Sequence, residues 1–240
     1  MRIAVLSDIH ANLPALDAVL AAAGDVDAVW HLGDVVGYGP DPDGVVARLR
    51  SVGATGVRGN HDAAACGGIE IDWFNPEARR AMEWTRAAIG PETVEWLSAL
   101  PERRTIEGCE QVHGSPREPL WEYITSMGVA RANLAVLTAP IGLHGHTHVP
   151  VAWVEDAGRI ELHRPGRDSI LELGGRRALI NPGSVGQPRD GDRDASYLIL
   201  DPDAGTVSWH RVGYDVAAVQ RAMRDAGLPA SLIGRLSVGL

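Results

Sequence analysis

Cysteine is scarce: Cys66 and Cys109 are the two in 240 residues. A chain this long buries roughly 70–75% of the surface its unfolded form exposes, so it needs no disulfide scaffold. Two free thiols in a reduced, cytoplasmic setting are the expectation. Long apolar runs are missing as well. Residues 13–24, interrupted by Asp17, fall short of the ~20 apolar residues a bilayer span requires, and no membrane association is expected. The opening MRIAVLSDIH turns polar at Ser7 and Asp8, before the apolar core of a secretory signal is complete. Basic residues are outnumbered, 22 Lys and Arg against 31 Asp and Glu, giving a net charge of -9. Such a chain is repelled by bulk nucleic acid and anionic lipid. Small anionic substrates stay open to it, because bound divalent cations reverse the field inside a site. Linkers, repeats and low-complexity tracts are absent too, so residues 1–240 are read as one domain.

What is present is a rhythm of short apolar run, turn and amphipathic segment over the first sixty residues, the pattern of βαβ units with parallel strands. Strands are expected at 3–6, 28–32 and 54–57. A helix capped by Asn12 follows the first, with Leu13, Leu16, Val19 and Leu20 on its apolar face, and residues 45–49 lie in a second helix. Helices are expected at 77–88 and 92–100, the latter opening after Pro91. From there the chain is strand-rich, with β-prone runs at 105–106, 111–112, 142–143, 151–154, 160–163, 169–173, 178–180, 197–200 and 207–212. Helices near 129–137 and 216–226 complete the reading.

Residues able to bind metal recur where strands end: Asp8 and His10 after the first, Asp34 after the second, Asn60 after the third. Ligands in open α/β sheets sit at the carboxyl ends of strands. Asp8 to Asp34 and Asp34 to Asn60 each span 26 residues, close to one crossover, which brings these side chains round to one edge. His113, His146 and His148 add imidazoles from later strand ends. Seven such side chains exceed what one catalytic zinc uses, and a carboxylate can bridge two ions.

In order, Asp8-Ile9-His10, Gly33-Asp34, Gly59-Asn60-His61-Asp62, His113 and Gly145-His146-Thr147-His148 resemble the calcineurin-like metallophosphoesterases, whose blocks run D-x-H, GD, GNH[DE], H and GHxH. The resemblance implies an α/β fold, a four-layer α-β-β-α sandwich with two mixed sheets. It implies one divalent ion on Asp8, His10, Asp34 and His148, and a second on Asp34, Asn60, His113 and His146, Asp34 bridging. Mn²⁺ is the first expectation, with Fe, Zn, Co or Ni as alternatives, because affinity order alone does not select among them. Two ions in such a site activate a water for in-line attack at phosphorus. His61 matches the family's non-ligand histidine beside the phosphoryl group. As an imidazolium assisting the leaving oxygen it would contribute about 10²- to 10⁴-fold, with Asp62 as the carboxylate orienting it.

His31, His144, His163 and His210 match no block and are read as structural or solvated. Arg58 is either a solvated strand-end charge or a partner for a substrate oxyanion. Residues 37–42, after Asp34, form a rigid turn or a rim, where Tyr38 could stack on a base or aryl group. The run Asn181-Pro182-Gly183-Ser184-Val185-Gly186-Gln187-Pro188-Arg189 is by composition a surface loop. It resembles a stretch of a bacterial branch near the active-site mouth, which makes Asn181 and Arg189 candidates for seating substrate. Protein phosphatases of the family carry GDxVDRG and GNHE; here Val35-Val36-Gly37-Tyr38-Gly39 and GNHD stand instead, which argues against that activity. The likeness is to bacterial phosphodiesterases of diadenosine-tetraphosphatase-like type. The expected function is hydrolysis of small phosphoesters, nucleotide-like diesters first, with a nuclease or a non-catalytic scaffold as alternatives.

Overall fold

The computed structural model describes residues 1–240, and its strands fall on the short β-prone runs of the sequence. The first half runs β1 (Ile3–Leu6), α1 (Leu13–Ala23), β2 (Ala28–His31), α2 (Pro42–Ser51), β3 (Thr55–Gly56) and α3 (Asn60–Ala65). A 3-10 turn (Ile71–Trp73) leads into α4 (Pro76–Ala88) and α5 (Pro91–Ala99). Then come β4 (Arg103–Ile106), β5 (Cys109–Val112), α6 (Met127–Val136), β6 (Ile141–Leu143), β7 (Val151–Asp156), β8 (Arg159–His163), β9 (Ile170–Glu172) and β10 (Arg177–Asn181). The chain ends with β11 (Ala195–Asp201), β12 (Thr206–Val212), α7 (Val216–Asp225) and α8 (Ala230–Arg235).

The strands form two six-stranded sheets, in the orders β3-β2-β1-β11-β12-β9 and β4-β5-β6-β10-β7-β8. Both are mixed: β1, β2 and β3 run parallel while β1 meets β11 antiparallel, and β5, β6 and β10 run parallel while β7 returns antiparallel. Alternation along each strand sorts side chains between layers. In β1, Ile3 and Val5 turn inward with Trp30, Leu198, Leu200 and Trp209, against Leu143, Ala152, Val154, Ala178 and Ile180 of the second sheet. Ala4 and Leu6 turn outward onto Leu16 and Val19 of α1, Val45 and Leu49 of α2 and Leu97 of α5. The outer face of the second sheet is covered by Ala130 and Leu134 of α6, packed on Val151, Trp153 and Leu179. These are four layers, α-β-β-α. Each fully buried Leu or Ile contributes roughly 1.5–3 kcal/mol, so the between-sheet core and the helix-covered face of the first sheet both stabilise the fold.

Local chemistry sets the ends. Asn12 caps α1 by accepting from the Ala15 amide at 3.2 Å, as expected. The expected third strand, 54–57, shortens to Thr55–Gly56, and Gly59, expected only as a turn, starts α3. Six residues rich in alanine carry no helical period, so α3 left no trace in the pattern. The short α8 was also missed; Leu232, Ile233 and Leu236 around it pack on Val219 and Met223 of α7 and on Tyr38. Residues 181–188, a surface loop by composition, are buried. Their polar groups are satisfied inside: the Val185 and Gly186 amides donate to the carbonyls of Ser7 and Asp8, both at 3.0 Å. Cys66 and Cys109 are both unpaired, and burial pushes the Cys109 thiol up to about 12. No helix is long and apolar enough to cross a membrane.

Candidate metal centre

Two groups of side chains converge where the carboxyl ends of both sheets meet. Asp8, His10 and His148 bring one donor atom each to within 4.8 Å of one another, and Asp34, His113 and His146 do the same. In the first group His10 Nε2 and His148 Nε2 stand 3.2 Å apart, and His148 Nε2 is 3.3 Å from Asp8 Oδ1. In the second, His113 Nε2 is 3.0 Å from His146 Nδ1 and 3.1 Å from Asn60 Oδ1. Asp34 Oδ2 lies between them, 3.7 Å from His10 Nε2 and 3.3 Å from His113 Nε2. Asp34 Oδ1 accepts from the His61 amide at 2.9 Å, which holds Oδ2 toward both groups.

Backbone ladders beyond the strand ends fix these positions. The loop after β1 lies along the loop after β2, with the amides of Asp8, His10 and Ala11 donating to Gly33, Asp34 and Val35 at 2.9–3.1 Å. Asp8 Oδ2 accepts from the His146 amide at 3.1 Å, tying the first sheet to the second. Asp8, His10, Asp34, His146 and His148 all have positive φ, between 49° and 67°. For residues other than glycine each such position costs of order 1–3 kcal/mol, and it persists only where the surroundings over-determine it. Gly59 is required for a steric reason: a Cβ there would stand 2.1 Å from Asp34 Oδ1.

The donor set fits divalent cations. Nδ1 of His10, His113 and His148 each face a carbonyl, of Val36, Leu32 and Gln187 respectively, and a carbonyl only accepts. Nδ1 therefore carries a proton in each, and Nε2 is the ring atom that faces inward. Nitrogen and oxygen donors about 2.1 Å from a shared ion stand roughly 3.0–3.4 Å apart, which is how these are spaced except Asp34 Oδ2 and His10 Nε2, at 3.7 Å. Asp8 Oδ1 has no hydrogen-bond partner, and burial lifts that carboxyl to about 7. Burial works to raise Asp34 too, but His113 and then His61 hold it well below the usual carboxylate range. Burial would lower His113, yet Asp34 beside it brings it to about 9. Lone pairs facing lone pairs, an unpaired buried carboxylate oxygen and a histidine driven to take a proton all call for positive charge at this place.

A cleft of about 140 Å³ opens above the two groups, lined among others by Asp34, Tyr38, Asn60, His61, His146, His148 and Arg189. His61 is buried with Nδ1 unpartnered, its ring 4.4 Å from Tyr38 and 4.9 Å from Phe74. Burial lowers it to about 4. Asp62 does not face His61. Its oxygens accept from the Val36 and Gly59 amides at 3.1 and 3.0 Å, because it is the third residue of α3 and caps that helix. Arg58 pairs with Glu102 at 2.8 Å and does not line the cleft. Tyr38 does line it, with the His10 and His61 rings tilted against its own at centroid distances of 4.6 and 4.4 Å. Asn181 is fully buried behind the site, donating to Gly145 O at 2.7 Å and accepting from the Gly183 amide at 2.8 Å. Arg189 reaches the cleft, 5.9 Å from the Tyr38 ring, with its Nη2 on Gln187 Oε1 at 2.9 Å.

The sequence profile of the calcineurin-like phosphoesterase superfamily domain matches residues 1–205. The chain belongs to that superfamily. It is a metal-dependent phosphoesterase, and its family is dinuclear. An uncharacterized protein of Methanocaldococcus jannaschii is 37% identical over 245 residues, covering 99% of this chain and 98% of that one. Phosphodiesterase YfcE of Escherichia coli K12 is 30% identical over 220 residues, 86% of this chain and 91% of its own. The crystal structure of a metallophosphoesterase from Sphaerobacter thermophilus superposes with a TM-score of 0.92 at 47% identity, covering 100% of this chain and 99% of that chain.

Several residues around this phosphoesterase site escaped the sequence reading. Gln187 uses its carbonyl to fix His148 at 2.6 Å and its side chain to receive both Arg189 and, at 3.2 Å, Arg235 of α8. Trp73, Phe74, Trp121 and Tyr123 line the cleft from segments that show no periodicity. Tyr123 stacks on His146 with centroids 4.0 Å apart and planes 10° from parallel. Only the aromatic character of those segments, unusual in a chain that is 5% aromatic, was there to be noticed.

Proposed function

We infer that this chain is a dinuclear phosphodiesterase acting on small nucleotide-like esters. The observation that carries the reading is Asp34 Oδ2, within 3.7 Å of a donor of each group, because a shared carboxylate is how two ions are held at one phosphorus. In this reading Asp8, His10 and His148 hold one ion with Asp34, and His113, His146 and Asn60 hold the other. Two divalent ions there supply Lewis-acid stabilisation of the phosphoryl group and an activated nucleophile. The protein does the rest. Arg189, the cationic side chain at the cleft, binds a phosphoryl oxygen. His61 presents its ring to the departing oxygen and stabilises charge developing there. The mixture of imidazole, carboxylate and amide suits ions of intermediate hardness, so Mn²⁺ is the first to test, with Fe, Zn, Co and Ni after it.

The phosphodiesterase name of the Escherichia coli relative supports diesters as the class. The net charge of -9 argues against long nucleic acids, since each phosphate contact needs its own cation. The test is turnover of bis(p-nitrophenyl) phosphate beside p-nitrophenyl phosphate by the Mn²⁺-loaded enzyme. Faster cleavage of the diester is expected; turnover of neither ester with any of the five metals would overturn the reading.

A further inference from the structure

A second, larger hollow of about 570 Å³ adjoins the cleft, lined by Ile69, Glu70, Trp73 and Trp121. Trp73 and Trp121 line both spaces, so the two lie side by side. Trp73 is 82% exposed and Trp121 37%, and leaving two indoles in water beside each other forgoes much apolar burial. Trp121 is not isolated from the chemistry: its ring meets Phe74 edge-on at 5.7 Å, and Phe74 meets His61 edge-on at 4.9 Å. The hollow therefore opens on the side of the centre where His61 stands.

We propose that the hollow between Trp73 and Trp121 is a nucleobase subsite that receives the departing nucleoside of the phosphodiester. The proposal rests on the phosphodiesterase reading and gives it a substrate class. The sizes divide the work: about 140 Å³ over the metal groups takes the phosphoryl group, and about 570 Å³ lies in the range of small-molecule pockets. Indole faces bind any base by stacking. Glu70, the one charged residue of the hollow, accepts hydrogen bonds from a ring N–H or amino group and repels a further phosphate. A neutral, planar, hydrogen-donating group is what these walls select, not a polyphosphate tail.

Calorimetric titration of the Mn²⁺-loaded protein with AMP and with ribose 5-phosphate, which differ by the base alone, tests this. AMP is expected to bind about 10-fold more tightly, as one stacked base implies. The ratio should fall toward one in Trp73→Ala and stay largely intact in Trp73→Phe. Trp73 is so exposed that neither change threatens the fold. Equal binding of the two ligands, or a preference that survives Trp73→Ala combined with Trp121→Ala, would overturn the proposal. So would sedimentation showing a dimer that Trp73→Ala dissolves, since the indoles would then belong to an interface between copies. Hydrolysis of bis(p-nitrophenyl) phosphate on the same samples separates the two ideas. Hydrolysis without base preference removes the subsite alone; base preference without hydrolysis of any ester keeps the subsite and removes the phosphodiesterase.

Discussion

Replacing Asn181 by alanine distinguishes a brace from a substrate contact. The amide makes no approach to the cleft surface. Its Nδ2 donates to Gly145 O at 2.7 Å and Thr147 Oγ1 at 3.1 Å, and its Oδ1 accepts from the Gly183 amide at 2.8 Å. Truncation leaves the Gly145 carbonyl and the Gly183 N–H buried without those partners. At about 1–3 kcal/mol for each unsatisfied group, the loss is about 2–6 kcal/mol, or roughly 4–24 °C in Tm for a chain of this size. Gly145 directly precedes His146, so the loop that aims His146 is loosened and affinity for one of the two ions should fall about 10- to 100-fold. Asn181→Asp keeps the shape and the acceptor but turns a carboxylate oxygen on a carbonyl, and is expected to be at least as damaging. Thermal unfolding and metal titration read both effects. An unchanged Tm and metal stoichiometry with a raised KM would refute the reasoning and return Asn181 to the substrate.

Asp34→Ala should abolish binding of both ions at once, whereas Asp8→Asn should weaken only one; calorimetric metal stoichiometry decides, and one retained ion in Asp34→Ala would refute the shared oxygen. His61→Ala should keep two ions and lower kcat about 10²-fold or more, and an unchanged kcat would remove His61 from the chemistry. His31 is fully buried with neither ring nitrogen partnered, and burial lowers it to about 3. Its folded pKa lies below the unfolded value of about 6.5, so it leaves stability intact above that value and erodes it as pH falls toward 3. The erosion is about 2 kcal/mol at pH 5; in denaturant unfolding at pH 7.5 and 5, His31→Leu should lose that much less than wild type, and identical losses would refute the assignment.

The sequence exposed what depends on where apolar runs stop. Asp8, Asp34 and Asn60 stand one crossover apart because each follows a parallel strand of the first sheet, and the three later histidines follow strands of the second. Neither sheet had to be seen for that spacing to show. Short-range geometry was hidden. Asp62 follows His61 directly, which invited pairing them, but helical α3 points neighbouring side chains about 100° apart, and a six-residue helix has too few turns to print a period. Arg58 was ambiguous because its partner, Glu102, is 44 residues away in sequence. The loop at 181–188 looked exposed because turn formers dominate it, and its hydrogen bonds to Ser7, Asp8, Asn12, Gly145 and Ser196 explain how so polar a stretch is buried.

The strained backbone and the placement of the two groups have one physical explanation. Each group takes donors from both sheets: Asp8 and His10 follow β1 while His148 follows β6, and Asp34 follows β2 while His113 and His146 follow β5 and β6. The edges that meet there carry carboxylates and inward-facing lone pairs, which by themselves push the layers apart. What opposes this is the apolar seam a few residues upstream, Ile3, Val5 and Leu32 against Leu143 and Ile180, together with the cross-loop bonds from Asp8 to His146 and Gly186. The seam lies directly behind these carboxyl ends, so the packing that joins the two sheets also fixes the left-handed positions at Asp8, His10, Asp34, His146 and His148.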